Sequence, residues 1–577
     1  MKVSNRFRPL RRHVGSVCLP LIGAIVWHTH AQAVEPVNAG TLLRQNADIT
    51  RGIGTEPGAD STTGLQPSST TAPPPSADGA FVFTVSDFEF AGALSEAERQ
   101  RVDAFLAPWR DREVTLVQLQ ALRDALTAVL YNGGDSLVRV VLPPQTVKGG
   151  VVRFEIVRGH VESIDVRNQS RVSTKRLESI LGSTSSATPT LREIERNMRF
   201  VDGIPGVGTV SSALSTGTTP GGTIVDVDVT PADRFYAAAT VDNAGSKQAG
   251  WRRLVFSGGA NNLLGLGDQL QAIVLGTPRF MQTRAGENGR TRLGRLSYDM
   301  LTGVGASRAG LSYSHVDYRL GEAFAGLGSG NADVVSLYGT YPMIRSAGAT
   351  LDVGASIEAR RSTDDRFDNV LESQQRGLVA SVRADGSLAG SWLARRNLTQ
   401  YSAALSGGNT KQKEFDYTSS DSLLDSRSFN FAKFEPAVSY IQSITPTIQL
   451  MVSARGQWAS RSLDGSQRLG LGGPTAVRAY DQNAAAVDDG IIMSISASKY
   501  LRVLPGAALQ AFYDDARGRV RDDGMFSGGS VRLQGYGVGA SYSGKHIAAQ
   551  ISYAIRAGRP LENSAGHQFW FTLSVTG

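Results

Sequence analysis

The ten residues Leu351–Arg360, LDVGASIEAR, alternate without a break. Leu351, Val353, Ala355, Ile357 and Ala359 are apolar, while Asp352, Gly354, Ser356, Glu358 and Arg360 are polar or small. A period of two places each set on its own face of an extended strand. The pattern returns at Ile448–Arg455 and at His546–Arg556, where Ile547, Ala549, Ile551, Tyr553 and Ile555 make the apolar face. A soluble sandwich would alternate as well, so spacing has to decide. From Arg234 to Gly577 the chain has 344 residues, room for sixteen such runs of about 21 residues each with its connection. That suits membrane strands of ~9–11 residues plus loops. Connections also alternate in length. Asn261–Asp268, Tyr341–Ala349, Ile444–Thr447 and Leu504–Ala507 are short, whereas Arg361–Gln374 and Gly408–Arg427 are long and polar. A lipid-facing apolar band, a wet lumen and unequal loops predict a 16-stranded antiparallel transmembrane β-barrel over residues 233–577.

N-terminal to the barrel the composition differs. Residues 1–33 hold Lys2, Arg6, Arg8, Arg11 and Arg12, an apolar run from Val14 to Trp27, and Ala31-Gln32-Ala33, the pattern of a cleaved secretory signal peptide. The run is too short to span a bilayer and contains Pro20. The formal charge of +7 falls to 7 − 5 = +2 without those five basic residues, which leaves no case for nucleic acid as a partner. Cys18 is the one cysteine and lies inside the signal, so thiol chemistry is excluded from the mature chain. Residues 34–80 combine a short helix candidate around Leu42 and Leu43 with a Gly/Ser/Thr/Pro-rich tether, Thr50–Gly79, too poor in apolar residues to fold alone.

Two passes of one α+β order follow. In residues 81–158 a strand (FVFTVSDFEF) precedes a helix capped by Ser95, then a helix whose Leu116, Leu119, Leu122, Leu126 and Val129 repeat at helical spacing up to Gly133-Gly134. Strands Leu137–Leu142 and Val151–Arg158 complete the unit. Residues 159–232 repeat it with strand Val161–Asn168, helices near Lys175–Leu181 and Leu191–Phe200, and strands Thr209–Leu214 and Thr223–Thr230. Exposed sheet edges and helix-side grooves within 81–230 are the candidate partner-binding surfaces, by strand addition.

One long connection stands apart. Gln467–Tyr480, QRLGLGGPTAVRAY, carries Gly472 and Gly473 and then presents Arg478 between Val477 and Tyr480. About thirty residues on, AFYDDA offers Phe512 and Asp514. A guanidinium fork and a carboxylate are natural partners for tying a loop inside a confined wet lumen. This pair resembles the VRGY/F loop motif and the FxDxG strand motif of two-partner secretion outer-membrane transporters, the TpsB or haemolysin secretion/activation family. The turn Leu142-Pro143-Pro144-Gln145, Ile204-Pro205-Gly206-Val207, Val241–Gly245, Leu264–Leu270 and Tyr341–Ser346 are similar to further motifs of that family. Ala479 and Ala516 depart from it, standing where it has glycines, as does a C-terminus ending Val575-Thr576-Gly577 and not on an aromatic residue.

The resemblance implies two POTRA domains in the periplasm and a barrel in the outer membrane of a Gram-negative bacterium. It also implies that loop 461–488 enters the lumen between strands eleven and twelve, anchored by Arg478 to Asp514 on strand thirteen. Residues 34–46 would be a plug helix, with a disordered leader as the competing reading. The implied partner is a large β-helical exoprotein, an adhesin, haemolysin or toxin, with an N-terminal secretion domain. It would be recognised by the POTRAs and exported unfolded, without ATP, by a monomer in contact with outer-membrane lipid. A barrel assembly factor is the alternative, and a barrel protease or lipase a third.

No catalytic constellation, metal site or cofactor is predicted. His160 lies between the two α+β units, His315 and His546 on strands, and His567 at the start of the last strand, none in metal-ligand spacing. Asp514-Asp515 and Asp488-Asp489 could be pictured as acid–base dyads, but their places beside strand and loop ends favour solvated or structural roles.

Overall fold

The computed structural model describes residues 37–46, 82–132, 137–183, 189–219, 221–281, 289–321, 324–367, 370–417, 423–482, 484–522, 528–558, 560–561 and 565–577. The signal peptide, the whole tether Thr50–Gly79 and Gly133-Gly134 lie outside these residues. Sixteen antiparallel strands close into one barrel. They run Phe235–Asp242, Arg253–Asn261, Gln269–Gly276, Arg290–Leu301, Arg308–Arg319, Gly328–Arg345, Ala349–Arg366 and Leu371–Trp392 in the first half. Arg395–Asp416, Leu423–Thr445, Ile448–Ala459, Asp489–Tyr500, Ala507–Val520, Gly529–Ser543, Ile547–Arg556 and His567–Thr576 follow. They are barrel strands 1 to 16 in chain order. Alternation sorts their side chains: on strand 13 Leu509 and Tyr513 point outward, while Phe512, Asp514 and Ala516 are buried inside.

Strands 8, 9 and 10 are 22, 22 and 23 residues long, about twice the expected length. Arg361–Gln374 and Gly408–Arg427, expected as long loops, are therefore mostly strand. The physical reason is that backbone pairing need not stop where the apolar band stops. At ~3.4 Å per residue and ~45° tilt, 22 residues rise about 50 Å against an apolar band of ~25 Å. His546 is also corrected: it sits in the tight turn before strand 15, its ring nitrogen 3.2 Å from the Thr576 carbonyl.

Strand 16 closes on strand 1 over a short register, Thr572↔Asp242 to Thr576↔Ala238. Gly577 adds reciprocal backbone bonds to Ala237 at 3.1 and 2.9 Å. The non-aromatic C-terminus thus completes the ladder.

Both α+β units are present. In the first, Asp87–Ala91 pairs in parallel with Val151–Arg158, which pairs with Val138–Val141, under helices Glu96–Leu106 and Leu116–Asn132. The reciprocal Ser95/Glu98 capping box starts the first helix. The strand expected over FVFTVSDFEF is broken at Ser86, and Val82–Val85 pairs instead with an unforeseen strand, Arg112–Thr115, between the helices. In the second unit His160–Asn168 and Val207–Thr216 flank Gly222–Pro231.

The second unit is docked onto the barrel. Leu301 of strand 4 belongs to the same buried cluster as Val172, Ile180 and Ile204. Ser173 donates its N–H to the Gly265 carbonyl at 3.0 Å, and Arg176 donates to the Leu301 carbonyl at 2.9 Å. The receiving turn is shaped by Asp268, which accepts from the N–H groups of Leu263, Leu264 and Leu266. This fixes one end of the barrel as the face that carries the α+β units.

Candidate functional site: the barrel lumen and its folded-in loop

The connection between strands 11 and 12 turns back into the barrel. Gly473, at φ 113°, opens the turn that Ala476 closes by donating to its carbonyl, and Gly472 bridges to Val477. A left-handed φ of this kind favours glycine. The turn aims Arg478 at strand 13. Its Nε and Nη2 donate to the two oxygens of Asp514 at 2.9 and 2.7 Å, and its own backbone N–H donates to Oδ2 at 3.1 Å. Ser494 on strand 12 donates to Asp514 Oδ1 at 2.7 Å and accepts from Arg478 Nη2 at 3.0 Å. The guanidinium lies 3.4 Å over the Phe512 ring. Asp514 has no solvent exposure and Arg478 has 12 %. A bidentate, stacked contact of this kind needs arginine; lysine has no planar fork.

Around the pair, Leu471, Val477, Ala479, Tyr480, Ile492, Phe512, Ala516 and Leu533 form one buried cluster. Tyr480 is wholly buried there. The alanine at 479 is met by a missing side chain opposite: a Cβ on Gly535 of strand 14 would fall 2.4 Å from the Ala479 methyl.

The Asp488-Asp489 pair is structural. Asp488, fully buried, accepts from Leu463 N–H at 2.8 Å, Arg468 Nε at 3.0 Å and Arg521 N–H at 2.7 Å. Asp489 holds Arg519 and Arg521 and accepts from Ala459 N–H at 2.9 Å. Together they staple the neck of the loop to strands 11 and 13. The residue pattern flagged both aspartates, but nothing local named Arg468 or Arg521 as their partners.

The short N-terminal helix, Ala39–Gln45, also lies in the lumen. Asn38 caps it through a reciprocal bond with Thr41. Ala39 and Leu42 pack against Val255, Ile273, Leu293, Val316 and Tyr318 on the inner wall. Across the lumen Arg44 donates to Glu435 at 2.9 Å and to Gln457 at 2.7 Å. Asp364, buried on strand 7, accepts from Ala39 N–H and from Tyr318 Oη, both at 2.8 Å. A cavity of about 1640 Å³ remains beside helix and loop, bordered by Arg44, Arg361, Arg461 and Asp481 among others. Among the described residues no cluster of three or more His, Cys, Asp or Glu is placed to hold a metal ion.

Sequence comparison matches this geometry. Residues 221–542 match the family model for haemolysin secretion/activation proteins ShlB/FhaC/HecB, and residues 83–159 match the ShlB-type POTRA model. The chain belongs to the ShlB/FhaC/HecB haemolysin secretion/activation family. It is 27 % identical over 483 residues to the heme/hemopexin transporter protein HuxB of Haemophilus influenzae, covering 81 % of this chain and 82 % of that one. It is 25 % identical over 404 residues to the outer membrane transporter CdiB of Dickeya dadantii, covering 69 % of each. The fold matches the solved structure of CdiB from Escherichia coli with a TM-score of 0.67 at 19 % identity, over 94 % of this chain and all of the other. The protein is an outer-membrane β-barrel of a transporter family, with its POTRA region on the periplasmic side. The turn that receives the second α+β unit is then periplasmic, and the connection carrying Arg478 starts from the outer rim.

Proposed function

We propose that this protein is the transporter of a two-partner secretion pair, carrying one large exoprotein across the outer membrane. The observation that carries this reading is a closed barrel whose lumen is occupied by two segments of its own chain, helix Ala39–Gln45 and the Arg478 loop, above a mouth bearing two α+β units. A barrel that only fills its lumen with side chains needs neither.

In this mechanism the edges Asp87–Ala91, Val138–Val141, His160–Asn168 and Val207–Thr216 are the surfaces available to a secretion domain by strand addition. The captured chain displaces the helix and enters unfolded. Folding of a β-helical passenger outside supplies the drive, with no ATP, and the unit of function is a monomer. Relatives named as a heme/hemopexin transporter and as outer membrane transporters support export over the assembly-factor alternative, which shares the barrel fold.

The test is co-expression with a candidate exoprotein carrying an N-terminal secretion domain. Surface delivery that depends on this chain and is lost on deleting 81–158 is expected. A general loss of other outer-membrane barrels, with no effect on the exoprotein, would replace export by assembly.

A further inference from the structure

Three consecutive residues at the outer end of strand 1, Asp242, Asn243 and Ala244, face two different neighbours. Asn243, 1 % exposed, works on the closing strand. It accepts from Phe571 N–H at 2.8 Å and donates to the Phe569 carbonyl at 2.7 Å. Its side chain thereby reinforces the end of the short strand 1–strand 16 register, where beyond Asp242 its own N–H makes one long backbone bond to the Phe571 carbonyl at 3.4 Å. The residues on either side hold the lumen helix. Asp242 receives Arg253 Nε and Nη2 at 2.7 and 3.0 Å, and the remaining Nη1 of Arg253 donates to Asn46 Oδ1 at 2.8 Å. Asn46 is the C-cap of the helix and donates in turn to the Leu42 carbonyl at 2.7 Å. Gln45 donates to the Ala244 carbonyl at 3.2 Å. Asn46, Asp242 and Arg253 are all nearly inaccessible to solvent, so the bonds among these three are made where water cannot replace them.

We propose that Asp242, Asn243 and Arg253 are positioning residues that make occupancy of the lumen helix and closure of the strand 1–strand 16 seam depend on each other. With the helix seated, Arg253 is held between Asn46 and Asp242, and the Asp242–Ala244 turn is fixed where Asn243 can clasp strand 16. When the helix leaves, Arg253 loses one of its buried acceptors and Ala244 loses Gln45, and the turn is freed at the outer end of the seam, where a single long backbone bond is left. Coupling of this kind is reciprocal: a loosened seam must weaken retention of the helix by the same factor. The inference rests on the plug reading of helix Ala39–Gln45.

The experiment uses the full chain in planar bilayers and on semi-native gels. Asn243→Ala touches no residue of the helix, yet it should raise the fraction of time the channel is open, by about tenfold if one bond to the helix is lost on average. Asn46→Ala touches no residue of strand 16, yet it should lower the temperature at which the barrel opens on the gel. In a chain lacking 34–79, Asn243→Ala should change conductance no further. Should Asn243→Ala prevent assembly, Asn243→Asp, which keeps the acceptor for Phe571 and loses the donor to Phe569, serves instead. If the seam variant lowers the gel transition and leaves the open fraction unchanged, while deleting 34–79 still raises conductance, the coupling is overturned and the plug stands. If that deletion itself leaves conductance unchanged, plug and coupling both fall.

Discussion

Trp570 on the closing strand donates its indole N–H to the backbone carbonyl of Arg478 at 2.7 Å. The residue that anchors the loop through its guanidinium to strand 13 is thus held through its backbone by strand 16. Gln568, two residues earlier on the same face, donates to Asp481 Oδ1 at 2.8 Å, and Lys247 from the strand 1–strand 2 connection pairs with the same carboxylate. The folded-in loop therefore bears on both sides of the seam. Its position is a property of the closed barrel and not of strand 13 alone.

Trp570→Phe keeps an aromatic ring, though a smaller one, and removes the N–H, leaving the Arg478 carbonyl without that donor in a buried site. The cost of an unsatisfied buried acceptor is about 1–3 kcal/mol. The expected result is a barrel that assembles, with secretion reduced several-fold and a lower transition on heated gels. Secretion at the wild-type level would mean that the strand 16 contact does not hold the loop.

The neck of the loop makes a stronger demand. Asp488 is fully buried and Arg468 is 9 % exposed, so Asp488→Ala takes the carboxylate from a buried cation and removes the acceptor of the Leu463 and Arg521 N–H groups. Breaking one side of a buried pair typically costs ~3–5 kcal/mol. Asp488→Asn, which keeps an acceptor for the N–H groups, should lose less. Protease digestion of intact cells is the measurement: new cleavage within 461–488 is expected for Asp488→Ala, and an uncut loop would assign its position to the Arg478 end alone.

A pH effect is expected in the periplasmic region. Glu162 accepts from the Thr218 hydroxyl and from the hydroxyl and N–H of Thr219, and these bonds bring its carboxyl down to about 2. Because the folded value lies below the unfolded one, the carboxylate stabilises the fold at neutral pH. That contribution fades as pH falls from the usual carboxylate range toward 2. In residues 81–232, thermal unfolding between pH 5 and pH 2 should drop more steeply for the native sequence than for Glu162→Gln. Equal slopes would remove Glu162 from the acid response.

Much of the architecture was legible because alternation is a direct record of two-sided burial. Leu351–Arg360 and Ile547–Arg556 lie within strands, and the loop falls between strands 11 and 12 with AFYDDA on strand 13. Local chemistry stops being informative where tertiary pairing dictates the outcome. Arg361–Arg366 and Gly408–Asp416 read as loops because they are polar, but a ladder that begins in the membrane can continue beyond it. The turn between strands 8 and 9 uses Leu393 and Ala394 at φ 51° and 58°, with no glycine or asparagine to announce it. Strand twist imposes that left-handed turn against local preference. At the site, Arg478 and Asp514 were singled out by their resemblance to the loop and strand motifs of the family, and they are in contact. Arg253 and Asp364 were not legible, since the helix residues they bond, Asn46 and Ala39, lie far off in sequence, and nothing local matched Arg468 to Asp488.

The replacement of a motif glycine by Ala479 can be examined through its neighbour. A Cβ at position 535 would fall 2.4 Å from the Ala479 methyl, too close for any real contact, and it would not strain Gly535 itself because its φ is not positive. Gly535→Ala should therefore push the loop tip off the wall and cut secretion strongly. Ala479→Gly in the same chain should restore most of it, because it removes the methyl at 2.4 Å and leaves only the tighter-than-usual contact with the Ile555 carbonyl at 3.2 Å. Failure of the second change to rescue the first would show that Gly535 matters for strand 14 and not for the loop.

The Arg478–Asp514 pair gives the most direct test of the anchored loop. Folding a loop back into the lumen fixes backbone that would otherwise be free, at roughly 1–2 kcal/mol per residue, so the tip needs contacts stronger than neutral hydrogen bonds. The pair supplies two charge-assisted bonds, a third from the backbone, and stacking on Phe512. Arg478→Ala leaves Asp514 buried with only Ser494 and the residue 478 N–H as donors, an expected loss of ~3–5 kcal/mol at the loop. Secretion should fall by an order of magnitude or more, while the barrel still forms and remains heat-modifiable. Arg478→Lys should restore part, since an ammonium cannot reach both oxygens and Ser494 from one plane. Asp514→Ala should resemble Arg478→Ala. The double variant should be no worse than the poorer single one, because each removes the same contact. Losses that add across the cycle would mean that the two residues act separately, and the anchored loop would then have to be held by the neck at Asp488 and by Trp570.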